Sequence, residues 1–233
     1  DLFNTNSNDQ RNAIQVRTLN AKQLLDRGAA QMENQGSGDP ALDATLFNLI
    51  GNLYENLTDY AASKRLHERG VKAAEVTFGR QSKEYANAIL DLAWVEAHDL
   101  SGKRLDLIEE AEVTLRKVAP DSPLLARALT IKARNIDRSQ PAKKLAASRE
   151  AVKILAGHPS ELKLRAAAET ALALAERETG NYEAGLAALQ RSVTLFSQLS
   201  GADSLEAGQA LGGVGSTQRQ LLRTIDSERS LAR

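Results

Sequence analysis

The sequence predicts an all-α protein, and three observations carry that prediction. First, 37 alanines and 34 leucines stand among 233 residues, while aromatic residues make up only 4%. That mixture favours helices and leaves a β-sandwich short of the Val, Ile, Thr and aromatic residues its strands need. Second, apolar residues recur at helical spacing through most of the chain, interrupted by short Gly, Pro, Asn and Ser breaks. Third, those segments come in pairs that repeat about every 40 residues, the signature of a solenoid.

Each element follows from local signals. Residues 1–17, including Asn4-Thr5-Asn6-Ser7-Asn8-Asp9-Gln10, lack a sustained apolar period and read as a tether. From Thr18, residues Leu24, Leu25, Gly28, Ala29 and Met32 form a stripe that Gly36-Ser37-Gly38 ends, predicting a capping helix over about 18–34 and a linker to 36. Asp39-Pro40 is an N-cap followed by proline in the first turn, opening a helix toward Leu57. Thr58-Asp59 caps the next helix, which ends by Gly79. Further helices are expected over 82–99, 103–118, 122–137, 141–156, 160–178, 181–199 and 203–222. The breaks between them are Ser101-Gly102, Pro120-Asp121, Ser139-Gln140-Pro141, Gly157-His158-Pro159, Gly180-Asn181 and Ser200-Gly201. Loops this short join antiparallel neighbours.

Taking Gly51, Ala93, Ala133, Ala173 and Gly212 as equivalent gives steps of 42, 40, 40 and 39, with a small residue wherever two helices cross closely. Leu46-Phe47-Asn48-Leu49-Ile50-Gly51-Asn52-Leu53-Tyr54 with Asp59-Tyr60, and Leu172-Ala173 with Gly180-Asn181-Tyr182 and Gly185, resemble the tetratricopeptide repeat in its longer form, found in kinesin light chains and many bacterial proteins. The resemblance implies a right-handed superhelix of about five antiparallel helix pairs over 40–233, the last one truncated. Units two and three match less well, because Ser101-Gly102 replaces the usual turn and Lys132 occupies an expected apolar place.

Charge and cysteine usage narrow the function. Thirty Lys and Arg balance thirty Asp and Glu, so the basic excess of a nucleic-acid binder is missing. With no cysteine, disulfides, zinc–thiolate sites, iron–sulfur clusters and cysteine nucleophiles are excluded. No stretch of the sequence reaches the ~18 apolar residues of a membrane span. The chain starts at Asp1 without a methionine and reads as a piece of something longer.

Thr18-Leu19-Asn20-Ala21-Lys22-Gln23-Leu24-Leu25-Asp26-Arg27-Gly28-Ala29, directly before the repeats, resembles a segment of large bacterial transmembrane serine/threonine kinases. In that family a cytoplasmic kinase domain and one membrane helix precede a segment of this kind, and long repeats follow outside the inner membrane. The resemblance implies a periplasmic sensor region that binds a peptide, protein or envelope ligand, from a membrane-anchored parent with a cytoplasmic phosphorylation target. A homodimer is one expected assembly. The alternative is a cytoplasmic repeat adaptor, or the sensory part of a transcriptional activator.

The fragment itself carries no catalytic set. Ala151-Val152-Lys153-Ile154 lies in a helix without the companions of a kinase lysine, so Lys153 reads as solvated. Gly36-Ser37-Gly38 follows a helix instead of a strand and reads as a linker. His67, His98 and His158 fall in different repeats, so no metal or other cofactor is expected. The remaining candidate is the concave face lined by the first helix of each pair. Repeat register places Asn48, Asn52, Asn56, Asn87, Trp94, His98, Arg127, Arg134, Arg138 and Arg177 there, with Thr45, Glu55 and Ala97. Amides hold an extended peptide backbone and guanidinium forks onto carboxylates. Trp94 is either an apolar anchor or core between repeats, and the sequence leaves both open. Lys143 and Lys144 are assigned to the convex side.

Overall fold

The computed structural model describes residues 22–98 and 104–231, and every element among them is helical. Helix α1 covers 22–35. It is followed by α2 (Pro40–Asn56), α3 (Tyr60–Phe78), α4 (Lys83–His98), α5 (Leu105–Val118) and α6 (Pro123–Asn135). Then come α7 (Pro141–Ala156), α8 (Leu162–Glu178), α9 (Tyr182–Ser200) and α10 (Leu205–Leu231). The expected tether over 1–17 lies outside the described residues.

The starts follow the cap chemistry. Asp39 Oδ1 accepts from the Ala41 amide at 2.9 Å ahead of Pro40, Asp59 accepts from Ala62, and Ser122 accepts from Leu125 ahead of Pro123. The expected ends hold to within two residues except at the C-terminus. There α10 continues to Leu231, because nothing after Gly215 breaks a helix.

Each helix packs on its sequence neighbours, and successive even-numbered helices α2, α4, α6 and α8 also touch one another. The even helices therefore line the inner side of the stack. The central core is built from α4, α5 and α6, with Ile89, Leu90, Ile108, Leu115, Leu125 and Leu129 sealed from solvent. A smaller cluster closes the N-terminal end: Leu25, Ala29 and Met32 of α1 meet Phe47, Tyr54 and Leu66. Leu24, expected in that contact, is instead 66% exposed, since it lies one residue round from the Leu25–Ala29–Met32 stripe. Tyr54 fixes the cap further by donating its hydroxyl to Asp26 at 2.6 Å, and burial raises its pKa above the ordinary phenol value.

Close crossings explain the small residues. A Cβ on Gly51 would stand 2.8 Å from the His67 ring. In α10 the tightly packed glycine is Gly213, whose Cβ would meet Leu189 at 2.9 Å, whereas Gly212 has open space.

Buried carboxylates are each matched by a cation from another helix, as burial of charge requires. Glu96 meets Lys64, Glu169 meets Arg191, and Glu176 meets Arg149. Lys132, out of place in an apolar register, reaches Glu112 of α5 at 2.7 Å. The same logic corrects the reading of Lys144 as a convex surface residue. It is buried, and its ammonium lies 2.7 Å from Glu178 of α8. Lys143 is exposed.

Candidate functional site

Between the even helices lies a groove of about 470 Å³. From α2 it takes Asn52, Glu55 and Asn56; from α4, Asn87, Asp91 and Trp94; from α6, Arg127, Thr130 and Arg134. The first turns of α8 add Lys163, Leu164 and Ala167. These positions converge because the even helices share one repeat register. Asn52, Trp94 and Arg134 each follow the small residue of their unit by one, at Gly51, Ala93 and Ala133.

The groove wall is tied across repeats. Trp94 donates its indole N–H to Glu55 Oε1 at 2.7 Å, linking α4 to α2. Arg127 donates to Asn87 Oδ1 at 2.9 Å and pairs with Asp91, linking α6 to α4. Trp94 packs one side against the central core and lies under the Arg134 guanidinium, 5.2 Å from the ring centroid. Trp94 is therefore packed on the core and also lines the groove.

Two cations at the α6–α8 end have no counter-ion among the described residues. Arg134 has the Trp94 ring but no hydrogen bond or ion pair, and desolvation lowers its pKa from the ordinary guanidinium value. Lys163 is exposed at the groove rim. Both cations are exposed to solvent along the groove, and a positive charge left without a carboxylate is a ready partner for an anionic group. At the other end, Asn52 and Asn56 present exposed amides.

Of the residues expected on this face, Asn48, Arg138 and Arg177 are elsewhere. Asn48 points between helices, its Oδ1 3.2 Å from His67 Nδ1 and against Gly70. Eight residues of α-helix turn through two full rotations plus about 80°, so Asn48 and Asn56 do not share a face. Arg138 follows the end of α6 at Asn135 and extends into solvent, 3.8 Å from Glu178. Arg177 lays its stem over Gly185 of α9 and donates to Gln220 of α10 at 3.3 Å. The side chain of His98 lies outside what the structure describes. Sequence register missed Asp91 and Lys163. Asp91 was findable as the residue one turn after Asn87, whereas Lys163 sits in a first turn that no repeat position marks.

A second cavity of about 790 Å³ opens between α5, α6 and α7 on the opposite side. It is crossed by Arg116, whose guanidinium forks onto Glu150 with both N–O distances at 2.7 Å. Within it, Lys132 and Arg116 both pair with Glu112.

No protein-family model matches the chain, and no curated protein matches it in sequence. Solved structures do match in fold. A Podosopora anserina protein of nearly identical, TPR-like repeats, assigned to the kinesin light chains, aligns with TM-score 0.60 at 14% identity, over 81% of this chain and 91% of that one. A variant of the same protein gives 0.61 over the same shares. BtubC (BKLC) from P. vanneervenii gives 0.58 at 14% identity, over 78% of this chain and 74% of that one. The architecture is therefore a tetratricopeptide-like solenoid.

Proposed function

We propose that this chain is a protein-interaction module whose even-helix groove binds an extended peptide segment carrying a carboxylate. The observation that carries the proposal is Arg134, a guanidinium held over Trp94 with no counter-ion among the described residues, in a groove that also presents the exposed amides of Asn52 and Asn56. The peptide backbone runs past Asn52 and Asn56, and an acidic side chain or chain end takes its place on Arg134 and Lys163. Repeat solenoids of this fold present continuous inner surfaces suited to such ligands. No metal or other cofactor enters this reading, and neither does nucleic acid, since the charge balance of the chain is zero.

The wider setting we propose is a periplasmic one. The Leu-Leu-Asp-Arg-Gly-Ala segment at 24–29, just ahead of the repeats, supports a sensor role in a membrane-anchored serine/threonine kinase. Peptide occupancy would alter solenoid curvature or pairing and so reach the kinase domains. The reading frame upstream of Asp1 tests this setting: a kinase domain and one apolar span support it, and a DNA-binding or ATPase domain removes it.

The groove is tested by fluorescence titration with peptide arrays. Acidic peptides should quench or shift Trp94, and Arg134→Glu should weaken binding by tenfold or more, about 1.4 kcal/mol or above. Equal binding of acidic and basic peptides, or no loss in Arg134→Glu, would remove the groove from consideration. In the parent kinase, Asn52→Ala with Arg134→Glu should abolish signalling at equal protein level, while Lys143→Glu should leave it intact.

A further inference from the structure

We propose that His67 is a proton-operated latch beneath the groove: as a neutral imidazole it seats α3 against α2, and on protonation it releases the groove wall. The proposal rests on the reading of the groove as the ligand site and concerns its regulation.

His67 is fully buried, in a repeat position that unit four fills with Leu189. A shift of 122 residues carries Gly51 onto Ala173, Tyr60 onto Tyr182 and His67 onto Leu189. A titratable ring thus occupies a place where the fold elsewhere uses a hydrocarbon. Its Nδ1 lies 3.2 Å from Asn48 Oδ1, an acceptor, so Nδ1 carries the hydrogen and Nε2 is left as a lone pair. Nε2 has no hydrogen-bond partner among the described residues. The ring fits only because residue 51 is glycine, and both Nε2 and Cε1 would stand 2.8 Å from a Cβ there. A proton added to Nε2 would meet the α2 backbone with no acceptor in place.

The charges acting on the ring are those of the groove. They are Glu55 of α2, Asp91 of α4 and Arg127 of α6. Burial holds the imidazole below its usual pKa, the two carboxylates oppose that shift, and Arg127 adds to it. Both carboxylates are already engaged, Glu55 by Trp94 and Asp91 by Arg127. An imidazolium at residue 67 is relieved only by drawing one of them away from that partner or by parting α2 from α3. The first movement breaks a tie that holds the groove wall, and the second displaces the helix that carries Glu55, the anchor of Trp94. By linkage, a ligand that stabilises the closed wall opposes protonation of His67.

Trp94 is the only tryptophan in the chain, so its emission reads the wall directly, with no ligand required. The experiment follows Trp94 fluorescence of the whole chain from pH 7.5 to 5, with helicity monitored in parallel by circular dichroism. The wild type should show a reversible red shift below about pH 6.5, before helicity is lost. His67→Gln should lose that shift, and His98→Gln and His158→Gln should keep it. Persistence of the shift in His67→Gln, or its absence in the wild type, would overturn the proposal. Should His67→Gln fail to fold, histidine and indole resonances of the wild type provide the same decision. A common midpoint for His67 and the Trp94 N–H supports the latch, and separate midpoints overturn it. Because no peptide is present, failure here leaves the groove reading standing, and failure of peptide binding leaves the latch standing.

Discussion

At the scale of single residues, the molecule treats its glycines unequally, and substitution should expose the difference. At Gly51, a methyl group would be driven into the His67 ring, so Gly51→Ala should destabilise by about 1–3 kcal/mol, as overpacking does. At Gly212 the same methyl meets open space within a helix, so Gly212→Ala should stabilise by up to about 1 kcal/mol. Urea unfolding of the two variants beside the wild type checks both signs. His67 adds a pH dependence of defined direction. Its folded pKa lies below the unfolded value near 6.5, so the unfolded chain takes up the proton first. The stability held by neutral His67 is therefore complete above about pH 6.5 and is lost as pH falls through the window beneath it. A chain carrying His67→Gln should show a flatter profile between pH 7 and 5 in the same denaturation series.

At the scale of helices, ion pairs between elements set the costs. Lys144→Glu should destabilise by ~2 kcal/mol, because it buries an anion beside Glu178 at the α7–α8 contact. Lys143→Glu, one residue earlier and exposed, should be silent; thermal denaturation of both separates them. Loss of α1 uncovers Phe47, Tyr54 and Leu66, so a chain lacking residues 1–36 should melt earlier and aggregate. A chain lacking only 1–14 should behave as the wild type in the same melts. Helix ends were legible because Asp39-Pro40, Asp59 and Ser122-Pro123 are cap chemistry written locally. Site positions were legible where they stand next to the small residue that sets the repeat register. Asn52, Trp94 and Arg134 follow repeat register, whereas Arg138 lost its place when α6 ended at Asn135. Asn48 illustrates a different gap: its role depends on His67, nineteen residues away, which no period of four can reveal. The pairing of Arg127 with Asp91 was equally hidden, since it joins separate repeats through side-chain reach.

At the scale of the whole molecule, protection should grade from the centre outward. Amides of α4 and α6, whose apolar residues are sealed, should exchange most slowly, and those of α1, which buries little more than Ala29, most rapidly. Hydrogen exchange resolved by peptide reads this gradient directly, and uniform protection would contradict it. The cavity between α5 and α7 has a mechanical consequence. The inner helices touch one another, so they act as the near-fixed edge about which the stack flexes. On the outer edge, the space spanned by the Arg116–Glu150 fork is free travel, bounded by a strap that can lengthen or part without uncovering the core. The joint between the second and third repeats is therefore expected to bend more readily than one whose outer edge is filled. That joint lies directly behind Trp94 and Arg134, so a force applied at the inner surface there is converted into rotation of one half of the solenoid against the other.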